Sequence, residues 1–181
     1  SIPFSGYGII VGLIGEQVLT KFLGSDNHTH DITKVLMDHQ QRAPDRNSAF
    51  KGKRVAIVGC GSMGSKVAVS LARMGISSFY LIDSDYMKVG NIERNELDWA
   101  AVGAHKADAL KEQLKRINAQ VTVDLWVNHL GGQTAIANLE ICLSALSACD
   151  LIIETTGSGQ GFVYASGVSE DACVPIVWGR V

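Results

Sequence analysis

The feature that most constrains the fold is a glycine-rich turn that follows an apolar, β-branched run. Residues 55–58 read Val-Ala-Ile-Val, a run typical of a buried strand, and Gly59, Gly61 and Gly64 fit the spacing G-x-G-x-x-G. Helical periodicity follows as far as Gly75. In this context the three glycines permit a tight turn, close approach of a phosphate and close helix–strand packing. The sequence therefore predicts a nucleotide-binding α/β fold.

Short apolar runs alternate with segments of helical periodicity through the rest of the chain. The predicted strands cover residues 55–58, 79–82, 121–127, 151–153 and 175–178, and the later predicted helices cover residues 104–118, 135–146 and 163–171. Strands that alternate with helices form parallel sheets covered on both faces. We therefore predict a Rossmann-like, three-layer αβα domain with a mainly parallel, doubly wound sheet. It should cover residues 50–181 and be cut short at its C-terminus, because such a domain normally continues beyond the fifth strand.

The first 49 residues are expected to form an N-terminal helical segment and a linker. The apolar stretch at residues 7–19 is interrupted by glycines and reaches a charge at Glu16, so it is too short for a membrane anchor and is interpreted as a buried helix. A second helix is predicted at residues 32–41, inside a polar segment with turn and cap residues. The segment as a whole is interpreted as an arm or the tail of a preceding domain.

Composition argues against several classes of partner and site. The net charge is −2 and the basic residues are scattered, so nucleic acid is not expected as a partner. The chain has 4 cysteines without a C-x-x-C pair, which indicates a reduced, cytoplasmic protein. Cys60 lies in the glycine loop, where a small side chain is expected to be the requirement. Cys142, Cys149 and Cys173 are expected in the core. The histidines of the N-terminal segment, His28, His30 and His39, lack a compact metal-ligand spacing.

An acidic residue stands where a Rossmann-type domain contacts ribose. Asp83 follows the second predicted strand, about 20 residues beyond the glycine turn, and would accept hydrogen bonds from ribose hydroxyls. The loop residues Ser62 and Met63 would lie beside the phosphates at the start of a helix. The stretch after Asp83 is unusually polar, and Asp85 and other charged side chains are expected to crowd a pocket at the carboxyl end of the sheet.

Linked motifs in this region resemble the ThiF-type superfamily of ubiquitin-like protein activating enzymes. They are the glycine loop, the pair Asp83 and Asp85, the motif Asn91-x-x-Arg94, and the segment that ends in Lys106. The likeness covers residues 50–178. It implies ATP-dependent adenylation of the C-terminal carboxylate of a ubiquitin-like or sulfur-carrier protein, with ATP and Mg²⁺ as cofactors and a homodimer as the assembly. It also implies that Asp83 binds ribose, while Asn91, Arg94 and Lys106 hold phosphates.

The resemblance weakens after the fourth predicted strand of the domain. An acidic residue that helps to hold magnesium is usual there in the family, but this chain has Gly157, and Glu154 is expected to point into the fold. The metal ligands therefore stay unassigned. The resemblance places a catalytic cysteine or zinc cysteines beyond Val181, and it makes Arg42 and Arg46 candidates for reaching ATP from a neighbouring subunit.

Two alternative functions remain open at this point. The glycine loop and Asp83 also suit an NAD-dependent oxidoreductase. The glycine at position 157 is compatible with a regulatory domain that binds a nucleotide but has lost catalysis.

Overall fold

The structure is a computed structural model that describes residues 8–14, 17–23, 29–36, 49–132 and 135–180, the first three ranges as backbone only. The chain divides into two compact units, residues 1–45 and residues 46–181.

The N-terminal unit contains an antiparallel sheet where the sequence predicted helices. Its strands are β1 (Gly8–Ile14), β2 (Gln17–Leu23) and β3 (Thr29–Leu36), in the order β1-β2-β3. The helices predicted at residues 7–19 and 32–41 are therefore wrong over residues 8–14, 17–19 and 32–36. Ile9, Ile10 and Val11 are β-branched and Gly12 disfavours a helix, so the stretch is also compatible with a strand, and pairing with β2 selects that conformation. Residues 37–41 lie outside the described residues, as do His28, His39, Arg42 and Arg46.

The C-terminal unit alternates strands and helices as predicted. Its elements, in chain order, are β4 (Arg54–Val58), α1 (Ser62–Arg73), β5 (Ser78–Ile82), α2 (Lys106–Ile117), β6 (Thr122–Trp126), α3 (Ile136–Ser147), β7 (Leu151–Glu154), α4 (Gly159–Ala172) and β8 (Ile176–Trp178). Two short 3₁₀ turns, Val89–Asn91 and Trp99–Ala101, lie between β5 and α2.

The strands form one parallel, five-stranded sheet in the order β6-β5-β4-β7-β8. The chain starts at the centre with β4, moves outward through β5 and β6, and then returns to the other side of β4 with β7. This is the doubly wound order of a Rossmann-like sheet, which confirms the predicted fold class. The reversal of direction beside β4 places a crevice at the carboxyl ends of the central strands.

The core consists of two layers, one on each face of the sheet. Ile57 and Phe79 point to the layer that contains α1 and α2, whereas Ala56 and Tyr80 point to the layer that contains α3 and α4. Alternate residues of one strand thus reach opposite faces, as the two-residue period of a strand requires. Burial on both faces explains why β4 and β5 are continuous apolar runs.

The cysteines differ in exposure. Cys60, Cys142 and Cys149 are buried, as predicted for a small loop residue and for core residues, but Cys173 is exposed, so its prediction as a core residue is wrong. Cys173 is the C-cap residue of α4 and has a left-handed backbone conformation, with φ of 55°. Among the described residues, no helix has the length and apolarity needed to cross a bilayer.

Candidate functional site

The site is built where the central strands end at one edge of the sheet. Val58 is in register with both Ile82 of β5 and Glu154 of β7. The ladder continues one step further, because the Gly59 N–H donates to the Ile82 carbonyl at 2.7 Å and the Thr155 N–H donates to the Val58 carbonyl at 2.7 Å. The residues that follow β4, β5 and β7 therefore start side by side.

The glycine loop is shaped by two contacts that exclude a side chain. Gly59 has φ of +95°, and a Cβ on Gly64 would lie 1.8 Å from the Gly59 carbonyl oxygen. Helix α1 can therefore pack against the end of β4 only with glycine at position 64. A Cβ on Gly61, in contrast, would have no atom within 4 Å. Nothing in the described protein requires glycine at position 61, which fits a backbone kept open for a ligand.

Helix α1 begins beside this opening without a side-chain cap. Gly61 is its N-cap residue, no side chain accepts a hydrogen bond from the first turn, and that turn contains no acidic residue. The exposed N–H groups and the helix dipole make such an end attractive to anions. The N-terminal end of helix α1 is therefore suited to an anion.

Asp83 is fixed by the loop that it faces. Its Oδ2 accepts the Cys60 N–H at 2.6 Å, and its Oδ1 accepts the Asp85 N–H at 2.7 Å. Burial raises the pKa of the Asp83 carboxyl, although both N–H bonds act in the opposite direction. Each oxygen keeps acceptor capacity for a further donor such as a ribose hydroxyl. Burial also raises the pKa of the neighbouring Cys60 thiol, which disfavours the reactive thiolate.

Lys106 reaches the same edge from the start of α2. Its Nζ lies 2.8 Å from Asp85 Oδ2, and its side chain is only 11% exposed, whereas that of Asp85 is 70% exposed. The hydrogen bond from Lys106 lowers the pKa of the Asp85 carboxyl. The Lys106 side chain is thus fixed by burial, whereas Asp85 faces solvent.

These groups enclose an open cleft of about 220 Å³. Of the residues that the sequence selected, Gly59, Gly61, Asp83, Asp85 and Lys106 line it. Ser62, Met63, Gly64, Asn91 and Arg94 were also selected but are not among the lining residues that the structure describes. Gly64 lies buried beneath the loop, and the Met63 sulfur faces Gly179, where a Cβ would lie 2.8 Å away.

Arg94 is tied by its backbone to the first turns of α1. Its carbonyl accepts hydrogen bonds from Ser62 Oγ, at 2.9 Å, and from Lys66 Nζ. The Arg94 side chain itself is exposed. Asn91 has a local role in the structure, since its Oδ1 accepts the Lys88 N–H at 3.1 Å within a 3₁₀ turn. The structure therefore places the Arg94 backbone beside the first turns of α1 and Asn91 one turn earlier in the chain.

Sequence reasoning did not select other lining residues of the cleft. They are Ile82, Ser84, Asn128, His129, Leu130, Thr155 and Thr156. Ile82 is the last residue of β5, Thr155 and Thr156 follow β7, and the others lie in the loops after β5 and β6. Their positions near the carboxyl ends of predicted strands could have identified them, because the same criterion identified Asp83.

Asn95 was also missed, and it joins two parts of the site. Its Nδ2 donates to the Cys60 carbonyl at 3.2 Å, and its Oδ1 accepts the Leu97 N–H at 3.1 Å. Asn95 thereby holds the segment that carries Arg94 against the glycine loop. Asn95 lies in a polar loop, and nothing in the sequence distinguished it from the other polar residues there.

The turn after β7 supplies no carboxylate to the cleft. Gly157 has φ of +71° and no side chain, and Glu154 is fully buried. No group of three or more His, Cys, Asp or Glu residues suited to a metal ion occurs in the described part of the chain. Asp83 and Asp85 are the acidic residues among those that line the cleft.

The sheet order and the cleft define a Rossmann-like α/β domain. The sequence pattern of the ThiF family matches residues 33–180, and the chain belongs to this family. The resemblance drawn from the glycine loop and the motifs after it is thereby confirmed.

Relatives and solved structures agree with this assignment. The chain is 34% identical over 108 residues to the ATP-dependent ubiquitin transferase-like protein Cap2 of Enterobacter hormaechei, which covers 60% of this chain and 17% of Cap2. It is 31% identical over 113 residues to the molybdopterin-synthase adenylyltransferase of Escherichia coli, covering 62% of this chain and 43% of the relative. The chain thus spans less than half the length of either relative.

The fold is also found in a nucleotide complex. E. coli tRNA N6-threonylcarbamoyladenosine dehydratase, TcdA, solved with ATP, has a TM-score of 0.64 to this chain at 25% identity. The match covers 73% of this chain and 52% of TcdA.

Proposed function

We propose that residues 50–181 form an adenylation domain that uses ATP to activate the C-terminal carboxylate of a ubiquitin-like or sulfur-carrier protein. One observation carries this proposal: the open glycine loop, the fixed Asp83 carboxylate and the Lys106 ammonium line a single cleft. The family assignment and the named activities of the relatives support an adenylyltransferase. A cation at this position suits a triphosphate, which carries more charge than the pyrophosphate of NAD.

Different residues of the cleft would contact the ribose and the phosphates of ATP. Asp83 would accept hydrogen bonds from the ribose hydroxyls, because both of its oxygens are fixed at the edge of β5. The phosphates would lie over Gly61 and the N–H groups of Ser62 and Met63 at the start of α1. Lys106 and Arg94 would approach them from the side of the segment between β5 and α2, with Asn91 as a polar neighbour.

The proposed reaction is an in-line displacement at the α-phosphate. An oxygen of the substrate carboxylate forms a bond to the α-phosphorus, and the bond from that phosphorus to the bridging oxygen breaks. The electron pair leaves with pyrophosphate, and the products are an acyl adenylate and pyrophosphate. Negative charge develops on the phosphate oxygens and on the leaving group, where Lys106 and Arg94 provide charge-assisted hydrogen bonds. No nucleophilic side chain is required.

In this proposal a magnesium ion would enter the cleft together with ATP. Mg²⁺ commonly takes one or two protein carboxylates together with substrate phosphates. Asp85 is the exposed carboxylate of the cleft and would supply such a ligand, whereas Glu154 is buried and Gly157 has no side chain. The ion would neutralise charge on the phosphates.

Partners and setting follow from the same proposal. The substrate is a carrier protein with a free C-terminal carboxylate, in line with relatives whose names include ubiquitin transferase-like and ubiquitin-like modifier-activating proteins. A homodimer and a cytoplasmic location are part of the proposal, with no role for nucleic acid or membrane.

The proposal is tested by nucleotide binding and pyrophosphate exchange. Calorimetric titration should show binding of ATP with magnesium and no binding of NAD. Exchange of labelled pyrophosphate into ATP should then appear with a ubiquitin-like or sulfur-carrier protein from a panel, and should vanish when the same protein has an amidated C-terminus.

The other outcomes select the alternatives. NAD binding with hydride transfer would establish an oxidoreductase. ATP binding without exchange on any member of the panel would favour the regulatory domain, for which Gly157 is the motivating residue.

A further inference from the structure

Glu154 is a fully buried carboxylate that does not line the cleft. Its Oε1 accepts the Thr156 N–H at 2.9 Å and also accepts the Thr156 hydroxyl. Its Oε2 is buried as well and has no hydrogen-bond partner in the part of the chain that the structure describes. A buried, half-satisfied carboxylate costs free energy, so its presence at this point calls for a local reason.

The hydrogen bonds continue from Thr156 into helix α4. The Thr156 Oγ1 accepts the Ser158 N–H at 2.9 Å, and the Ser158 Oγ accepts the Gly161 N–H at 3.3 Å as the cap of the helix. A Cβ on Gly161 would lie 3.0 Å from Thr156 Oγ1, so the turn and the helix are closely packed. One oxygen of Glu154 therefore determines where the Thr156 side chain points and how α4 begins.

The same turn supports the glycine loop. The Thr155 hydroxyl donates to the Gly59 carbonyl at 2.8 Å. A Cβ on Gly59 would lie 2.9 Å from the Thr155 carbonyl carbon and the Thr156 nitrogen, and a Cβ on Gly64 would lie 2.7 Å from Thr155 Oγ1. The turn at Thr155 and Thr156 is thus the surface against which the loop rests.

We propose that Glu154 is a positioning residue for the phosphate loop. It acts through Thr156, whose N–H and hydroxyl it holds, and it keeps Thr155 against Gly59 so that the N–H groups at the start of α1 face the phosphates. Glu154 itself touches no substrate. The inference rests on the proposed function only in taking a nucleoside triphosphate as the ligand.

The test separates phosphate binding from the rest of the nucleotide. Thr156→Val removes the hydroxyl but keeps the shape, and Thr156→Ser restores it. Calorimetry should show that Thr156→Val weakens ATP binding about tenfold, the equivalent of one hydrogen bond, and changes adenosine binding less than twofold. Thr156→Ser should bind ATP like the wild type. Ser166→Ala is the matched control, since its hydroxyl bonds to the Phe162 carbonyl within α4, at 2.8 Å.

A double-variant cycle assigns the effect to Glu154. Glu154→Gln keeps an acceptor but loses the charge, and should weaken ATP binding in the same direction. If Glu154 acts through Thr156, the combination of Glu154→Gln and Thr156→Val should lose less ATP affinity than the sum of the two single losses, and the remaining loss reports the bond to the Thr156 N–H. Fully additive losses would overturn the proposed route.

A second readout requires no ligand. Amide hydrogen exchange at Gly59, Gly61 and Gly64 should be faster in Thr156→Val and unchanged in Ser166→Ala. Unchanged loop exchange, or equal losses of ATP and adenosine affinity, would reduce Glu154 to a general stabilising role and overturn the inference. Failure of the proposed function has a different signature, absence of nucleotide binding by the wild type, and loop exchange then still decides the role of Glu154.

Discussion

Lys106 and Asp85 form an ion pair in which the lysine side chain is largely buried and the aspartate side chain is largely exposed to solvent. Their charged atoms are 2.8 Å apart, with the lysine side chain 11% exposed and the aspartate 70% exposed. A ligand phosphate that enters the cleft would meet a cation already held in place. Asp85 is free to turn away because solvent surrounds most of it. The pair therefore prepares Lys106 for an anion without leaving it unpaired in the absence of one.

Removal of this ammonium should affect turnover more than folding. Lys106→Ala is expected to lower pyrophosphate exchange about 10²-fold or more, because it removes a cation directed at developing phosphate charge. Lys111→Ala, on the same helix and without a place in the cleft lining, is the matched control. Exchange that survives in Lys106→Ala would exclude Lys106 from the phosphate site.

The ion pair should also appear in the pH dependence of stability. Lys106 lowers the pKa of Asp85 below the ordinary value of 3.8, so the pair stabilises the folded state above that pH and loses its effect as the pH falls below it. Because Asp85 is largely exposed, the contribution at pH 7 should stay below about 1 kcal/mol. Urea unfolding of the wild type and Asp85→Asn should differ at neutral pH and converge in acid. A difference that grows in acid would contradict this assignment.

Substitution by alanine should mainly affect stability at Gly64 and mainly affect ATP binding at Gly61. Gly64→Ala should destabilise the protein by about 3 kcal/mol, because its Cβ would lie 1.8 Å from the Gly59 carbonyl oxygen. Gly61→Ala should cost less than about 1 kcal/mol, as a change at an N-cap in open space, yet it should weaken ATP binding. Denaturant unfolding and calorimetry measure the two effects. ATP affinity unchanged in Gly61→Ala would mean that phosphates do not approach position 61.

The side chain of Arg94 is exposed although its backbone is hydrogen-bonded to α1, so its role in activity can be tested separately from its role in stability. Its carbonyl is bonded to Ser62 and Lys66, and these bonds survive truncation of the side chain. Arg94→Ala should therefore change the free energy of unfolding by less than about 0.5 kcal/mol. Pyrophosphate exchange should fall about 10²-fold if the guanidinium stabilises phosphate charge. Arg116→Ala serves as the matched surface variant, and equal activity in the two would remove Arg94 from the site.

Position 157 allows the missing carboxylate to be restored. A Cβ there would have open space, although φ of +71° imposes a strain of about 1 kcal/mol on a non-glycine residue. Gly157→Asp should lower the magnesium concentration needed for half-maximal exchange, since a carboxylate on the residue after Thr156, which lines the cleft, would add an oxygen ligand. Gly157→Ala carries the same strain without the carboxylate and should not. Identical magnesium curves for the two variants would place position 157 outside the metal's reach.

The strands and helices of the C-terminal unit were readable from the sequence because each combines a strong local pattern with burial. The apolar runs at β4, β5 and β7 and the helical period of α2 match their elements to within a few residues. The N-terminal unit lacked such agreement, since its apolar stretch satisfies both helical and strand interpretations. Pairing of β1 with β2 and of β2 with β3 resolves that ambiguity, and pairing joins residues that the pattern of one segment does not relate.

By itself, the sequence determined the fold class, the glycine loop and the acid at the end of β5. These depend on neighbouring residues, because a turn, a strand end and a helix start are local events. Only the tertiary structure decided which side chains share the cleft. It brought the Thr155 hydroxyl to the Gly59 carbonyl and paired Lys106 with Asp85, whereas the inward direction of Glu154 was already expected from its place on a strand. Such contacts depend on strand order and on the packing of distant segments, which no local pattern of residues specifies.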